Sequence, residues 1–253
     1  MQYTLTRGHR KTIGIYIKNG TVEVRAPLSV SEQELEKLLA SKEKWIAENL
    51  AVSRERQEKR QEFRFAYGMA LLWRGAEYPL LGDSGSARIW RDEQGFHFPP
   101  GLDEESLKFN VIRLYKICAK NYLVGRVQHY AKIMGDTPSD VKVTDAKTRW
   151  GSCAKRTPKP SKSGSAASTA QAIKNLQEAA GVPRYNVNFS WRLCMAADEV
   201  IDAVVVHELA HIGEMNHSPA FYARVKAVLP DYDERDAKLK ELSQRLGMEN
   251  WEM

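Results

Sequence analysis

The segment Val206–His217 reads VHELAHIGEMNH and holds three of the chain's six histidines, His207, His211 and His217. Residues four apart lie one turn above the other on a single helical face, so the imidazoles of His207 and His211 can converge on one ion. Bonds of roughly 2.0–2.1 Å to zinc are within reach of that spacing. Glu208 is offset from His207 by about 100° around the helix, which lets it meet water beside the ion without binding the ion itself. Zinc lowers the pKa of a bound water toward about 7, and a neighbouring carboxylate can take the proton. This is the division of labour in H-E-x-x-H hydrolases. The plain alternative is a chance match on an amphipathic helix, with both histidines at the surface or in a cap. Against it stands the apolar run before the motif, Val200, Ile201 and Ala203 to Val206. That run marks the helix as buried, and ionisable groups at the end of a buried helix are costly unless paired or metal-bound.

A catalytic zinc site takes three protein ligands and keeps one position open. His217 is the expected third ligand, because Gly213 lets the chain turn back and His217 arrives six residues after His211. Glu214, Asp231 and Glu234 remain alternatives, since many H-E-x-x-H enzymes draw a carboxylate from a later segment.

The elements that must position these groups can be read from the same sequence. Asp198-Glu199 open the motif helix and Gly213 stops it; Ser218-Pro219 supply a cap and a first-turn proline for the next helix. A final charged helix is expected from about Asp233 to Leu246. Upstream, the stretch 103–135 reads as a helix, with acids in its first turn and Gly135 after its end. His129 lies on it and is expected to have no metal role. VKVTDAKTRWGSC (141–153) alternates like a strand, and YNVNFSWRL (185–193) is expected to pair with it as a hairpin. Between them, residues 154–184 are rich in Lys, Pro, Ser, Gly and Ala, a composition that cannot bury a core, and they are expected to form a mobile basic insertion. Near the N-terminus, Ile13, Ile15, Ile17 and Val22, Val24 flank Asn19-Gly20, a hairpin with a type I′ turn. Ser31 and Glu34 form a capping box opening a helix. Short strands are expected over 63–100. The fold class is therefore α+β: a small N-terminal β-rich module with one helix at 1–102, and a catalytic domain at 103–253.

Composition narrows the setting. The net charge of +6 is uneven: residues 1–150 carry +6, residues 151–190 carry +5, and residues 191–253 carry −5. The basic parts admit nucleotide or nucleic-acid contacts, although a solvated surface is the commoner explanation at such density. Hydrophobic runs are far below membrane-spanning length and no basic-then-apolar leader opens the chain. Three widely spaced cysteines do not make a disulfide framework, so a cytoplasmic location is expected.

TRWGSC (148–153), SWRL (190–193) and EVIDAVVVHELAHIGEMNHSPAFYARVKAVLPDY (199–232) resemble the YgjP-like family of predicted zinc-dependent hydrolases, relatives of the SprT-type and WLM-type metallopeptidases. The resemblance is dense over 199–232 and thinner over the N-terminal strands and long helix. It implies a compact gluzincin-like, zincin-like core with an antiparallel sheet and an active-site helix. It also implies His207, His211 and His217 as ligands and Glu208 as catalyst. The histidine spacing is also that of metzincins, but Glu214 occupies their glycine position and Gly213 comes one residue early.

The expected activity is that of a zinc metallopeptidase acting on a polypeptide held along the 185–193 strand. Arg149, Trp150 and Arg192 are candidates for contacting substrate, or else a packed Trp and paired arginines. A basic rim of Arg149, Lys155, Arg156 and Arg192 would instead suit a nucleotide or phosphoester hydrolase. A third class, a nucleic-acid-binding module with a structural metal, gives Glu208 nothing to do.

Overall fold

A computed structural model describes residues 2–83, 87–156 and 184–252. Most of the basic insertion, residues 157–183, lies outside the described residues. The chain forms two compact units, Met1–Arg64 with Ser243–Met253, and Phe65–Leu242.

In the first unit, strands β1 (Thr4–Gly8), β2 (Gly14–Lys18) and β3 (Thr21–Pro27) form a sheet of order β1-β3-β2. β2 and β3 are the expected hairpin. Asn19 and Gly20 both take positive φ, 49° and 70°, as a type I′ turn requires. The capping box at Ser31 and Glu34 is formed and opens α1 (Glu32–Ser41). The single expected helix is two: Lys42 leaves helical geometry, and α2 (Glu43–Glu62) follows. Val22, Val24, Leu35, Leu39 and Ile46 make the core, with Ile13, Ile15 and Ile17 packed against it.

The second unit holds the histidine motif. Residues 65–102 group with it: β4 (Ala70–Trp73), β5 (Ala76–Gly82), β6 (Trp90–Arg91) and β7 (Phe96–Phe98) form a sheet of order β4-β5-β7-β6. The long helix α3 runs Glu104–Met134, capped by the Asp103 side chain and ended by Gly135 at φ 72°. A third sheet contains β8 (Asp140–Thr144), β9 (Gly151–Arg156) and β10 (Arg184–Ser190) in the order β8-β10-β9. This corrects the expected simple hairpin. The stretch 141–153 is two strands, and β10 lies between them, parallel to β8 and antiparallel to β9. The core sheet is mixed rather than wholly antiparallel. The break falls where the Asp145 carboxylate turns to accept from Trp191 Nε1 at 2.9 Å and Arg192 at 2.7 Å. After β10 the chain tightens into a 3-10 turn, Trp191–Met195, whose side chains are all buried. Helices α4 (Asp198–Gly213) and α5 (Pro219–Val228) follow, and then α6 (Tyr232–Leu246), of which the part up to Leu242 belongs to this unit.

Helix α4 is clamped at both its start and its middle. The β4–β5 turn, with Arg74 and Gly75 at positive φ, approaches so closely that a Cβ on Gly75 would lie 2.8 Å from Ala197 Cβ. Arg74 pairs with Asp198, and the Tyr122 hydroxyl donates to the same carboxylate at 2.7 Å. One turn on, Asp202 is only 7% exposed and receives Arg126 through two bonds of 2.7 and 2.6 Å, plus the Tyr130 hydroxyl at 2.9 Å. Removing the carboxylate strands a guanidinium and a phenol against an apolar helix. Charge-assisted bonds of this kind each contribute about 1.5–3 kcal/mol. Asp202→Ala is expected to destabilise the fold by about 2–3 kcal/mol, partly relieved because Arg126 can still reach water. Chemical denaturation of the variant beside the parent checks this.

Candidate metal centre

All the groups of the candidate site lie within the second unit. The last two turns of α4 carry His207, Glu208 and His211; the chain then leaves the helix at Glu214 and returns through His217 into the cap of α5. The Ser218 hydroxyl accepts from Phe221 N–H at 3.2 Å, which fixes the start of α5 immediately after His217. Among the described residues, His207, His211 and His217 form a group whose potential ligand atoms all lie within 4.8 Å of one another. The alternatives are not in that group: Glu214, Asp231 and Glu234 stay outside it, and Asp231 is paired with Arg235 at 2.9 Å. Beneath the three rings lies Phe221, fully buried, with its centroid 4.8, 4.5 and 4.8 Å from His207, His211 and His217. Nothing in the sequence pattern pointed to this aromatic floor beyond its place on an apolar helix face.

The hydrogen bonds of the rings test whether a metal fits. The Glu214 carbonyl can only accept, so His211 Nδ1, 3.1 Å away, must carry the proton and donate it. Its Nε2 is then a free lone pair. His207 Nδ1 is held by the Tyr232 hydroxyl at 2.8 Å, which again turns Nε2 outward. His207 Nε2 and His217 Nε2 face each other at 3.0 Å, an arrangement that needs a proton or a cation between the two nitrogens. Burial and the two neighbouring imidazoles push the His207 pKa down to about 4, and burial lowers that of His211. Neutral imidazoles, oriented through their outer nitrogens, are the form in which histidine binds metal. The donor set fits a metal ion.

Glu208 is 6% exposed. Burial raises its pKa to about 7, against the opposing pull of Arg149 and a bond from the Cys153 backbone N–H. Strand β9 thus borders the carboxyl directly. Gly151, also on β9, leaves no room for a side chain: a Cβ there would lie 2.5 Å from Glu208 Oε1 and 2.6 Å from its Cγ. Gly151→Ala is therefore expected to displace the carboxyl, and a misplacement of about 1 Å can cost on the order of 10²-fold in rate. Turnover should fall by up to that amount while metal content is unchanged, as rate and elemental assays on one preparation would show.

The three residues considered for substrate contact part ways. Trp150 is half-buried and lines a cleft together with Gly151, His207 and Glu208. Arg149 is exposed and lowers the Glu208 pKa through its charge. Arg192 sits elsewhere: it is 8% exposed, bonded to Asp145 and stacked 4.3 Å from the Trp191 ring centroid. A buried, paired guanidinium holds the 3-10 turn and does not line that cleft. The expected peptide track also shifts. Both edges of β10 are occupied by β8 and β9, so an extended peptide cannot add to it; among the described residues β9 is the outer strand beside Glu208.

Among the described residues, no helix is long and apolar enough to cross a membrane. No curated protein and no solved structure matches the chain. A family model described as the YgjP-like metallopeptidase domain matches residues 11–159 and 179–242, most of the sequence. A family of metallopeptidases implies a metal, and among the described residues the three converging imidazoles form a group that could hold one. The chain belongs to the YgjP-like metallopeptidase-domain family.

Proposed function

We propose that the protein is a zinc-dependent peptidase in which His207, His211 and His217 hold the ion and Glu208 is the general base and acid. The observation that carries this reading is the pairing of the imidazole cluster with a carboxyl buried beside it, bordered by the outer strand of a sheet. Three nitrogen donors suit zinc and leave a position open for substrate. When bound, the ion supplies a Lewis acid that polarises a carbonyl and makes water a stronger acid.

The remaining steps belong to the chain's own residues. An extended polypeptide lies along the outer edge of β9, which supplies backbone groups for β-augmentation. Glu208, with a pKa near neutrality, takes a proton from the attacking water at a carboxylate oxygen. It then delivers that proton to the leaving amine, and a group with pKa near the working pH serves both directions. Gly151 and the Cys153 N–H keep the carboxyl in place through both transfers. All three cysteines are free thiols, which fits a reducing compartment, and we place the protein in the cytoplasm.

The rival phosphoester reading loses Arg192 from its basic rim, since that guanidinium is committed to Asp145. Zinc-loaded protein, incubated with an unfolded polypeptide and separately with nucleoside triphosphates, tests the choice. Fragments of the polypeptide that disappear with a chelator support the peptidase. Chelator-sensitive phosphate release with an intact polypeptide would replace it by the phosphoester hydrolase.

A further inference from the structure

A cleft of about 210 Å³ opens beside His207 and Glu208. That is smaller than the roughly 300–1,000 Å³ of sites that enclose a whole small molecule, and it suits one side chain. Its walls are apolar: Trp150, Ala203, Val204 and Leu239, with the ring of Tyr232. Gly151 and Asp236 complete the lining, and Asp236, on α6, is half-buried. No lysine or arginine is among the lining residues. Arg149, the charge nearest Glu208 in effect, is not one of them.

A largely apolar cleft with one carboxylate besides the buried Glu208 has a definite complement. Lysine and arginine carry a long aliphatic stem that covers apolar surface and a cationic head that seeks an anion. The chain itself supplies a precedent at this position. Lys240, one turn along α6, pairs with Asp236 at 2.8 Å while remaining 74% exposed. An exposed i,i+4 pair contributes only about 0.3–0.5 kcal/mol, so an incoming cation that also buries its stem can displace it.

We infer that this cleft is a specificity pocket and that the protein cleaves polypeptides next to a lysine or arginine, whose head pairs with Asp236. The inference rests on the peptidase reading above and adds the substrate class. Close charge pairs couple by about 1.5 kcal/mol or more, so the preference for a basic over a leucine side chain is expected to be roughly tenfold in kcat/KM.

The test is cleavage-site mapping by mass spectrometry on a mixed library of unstructured peptides, followed by rates on matched peptides with Lys or Leu beside the mapped bond. The zinc-loaded parent should favour Lys and Arg at one flanking position. Asp236→Asn should reduce the Lys-to-Leu rate ratio by roughly tenfold, and Lys240→Ala, an exposed change that removes the internal competitor, should preserve or raise it. Cleavage with an apolar preference, or an unchanged ratio in Asp236→Asn, would overturn the pocket assignment and leave the peptidase standing. A library untouched by protein that hydrolyses nucleoside triphosphates would overturn the peptidase reading and this one with it.

Discussion

Glu208→Gln is expected to keep its metal and its fold and to lose about 10²–10⁴-fold in turnover, the usual contribution of a general base. Amide and carboxylate are nearly the same size, so the close fit against Gly151 is preserved. The Cys153 N–H can still donate to the amide oxygen in place of the carboxylate. What disappears is the proton acceptor. Burial already disfavours charge at this position, so the neutral amide should not cost stability. Full activity in the variant would remove Glu208 from the mechanism. Loss of metal together with activity would make it a ligand or a support for one.

The second large effect concerns the ligand set. His217→Ala should weaken metal binding about as severely as His211→Ala, although His217 is exposed and His211 is buried. Exposure does not reduce its share, because its Nε2 faces that of His207 and its position is fixed by the Ser218 cap and Phe221. Glu234→Ala, in the exposed first turn of α6, should leave affinity unchanged. Titration of metal-free protein with zinc against a competing chelator separates these outcomes. A large effect at Glu234 and none at His217 would reassign the third ligand.

The candidate centre was legible wherever local spacing carries the information. His207 and His211 lie at i and i+4 of one helix, and Ser218-Pro219 is a cap written in two residues, so the sequence placed both without knowledge of the fold. The Asn19-Gly20 turn and the Asp103 and Gly135 ends of α3 were legible for the same reason: each is a backbone requirement met by residue type. What could not be read was pairing between distant segments. Alternation in 141–153 continues through Asp145, and only the bonds from Trp191 and Arg192 to that carboxylate show why the strand ends there. The central place of β10 depends on a parallel partner that period-two patterning cannot identify. Arg192 looked like a surface cation because its partner lies 47 residues away. Asp202 gave no signal at all; an acid inside an apolar helix is a clue only when Arg126 and Tyr130 are known to meet it. Tyr232 likewise orients His207 from 25 residues away.

The proposed centre is one catalytic zinc held by three imidazoles of one chain. X-ray absorption at the zinc edge, on protein loaded with the metal and freed of excess, tests it most directly when combined with elemental analysis. About one zinc per chain is expected, with a first shell of nitrogen and oxygen bearing the multiple-scattering signature of imidazole, reduced by one imidazole in His217→Ala. Failure to take up zinc, or a first shell containing sulfur from Cys153, would contradict it.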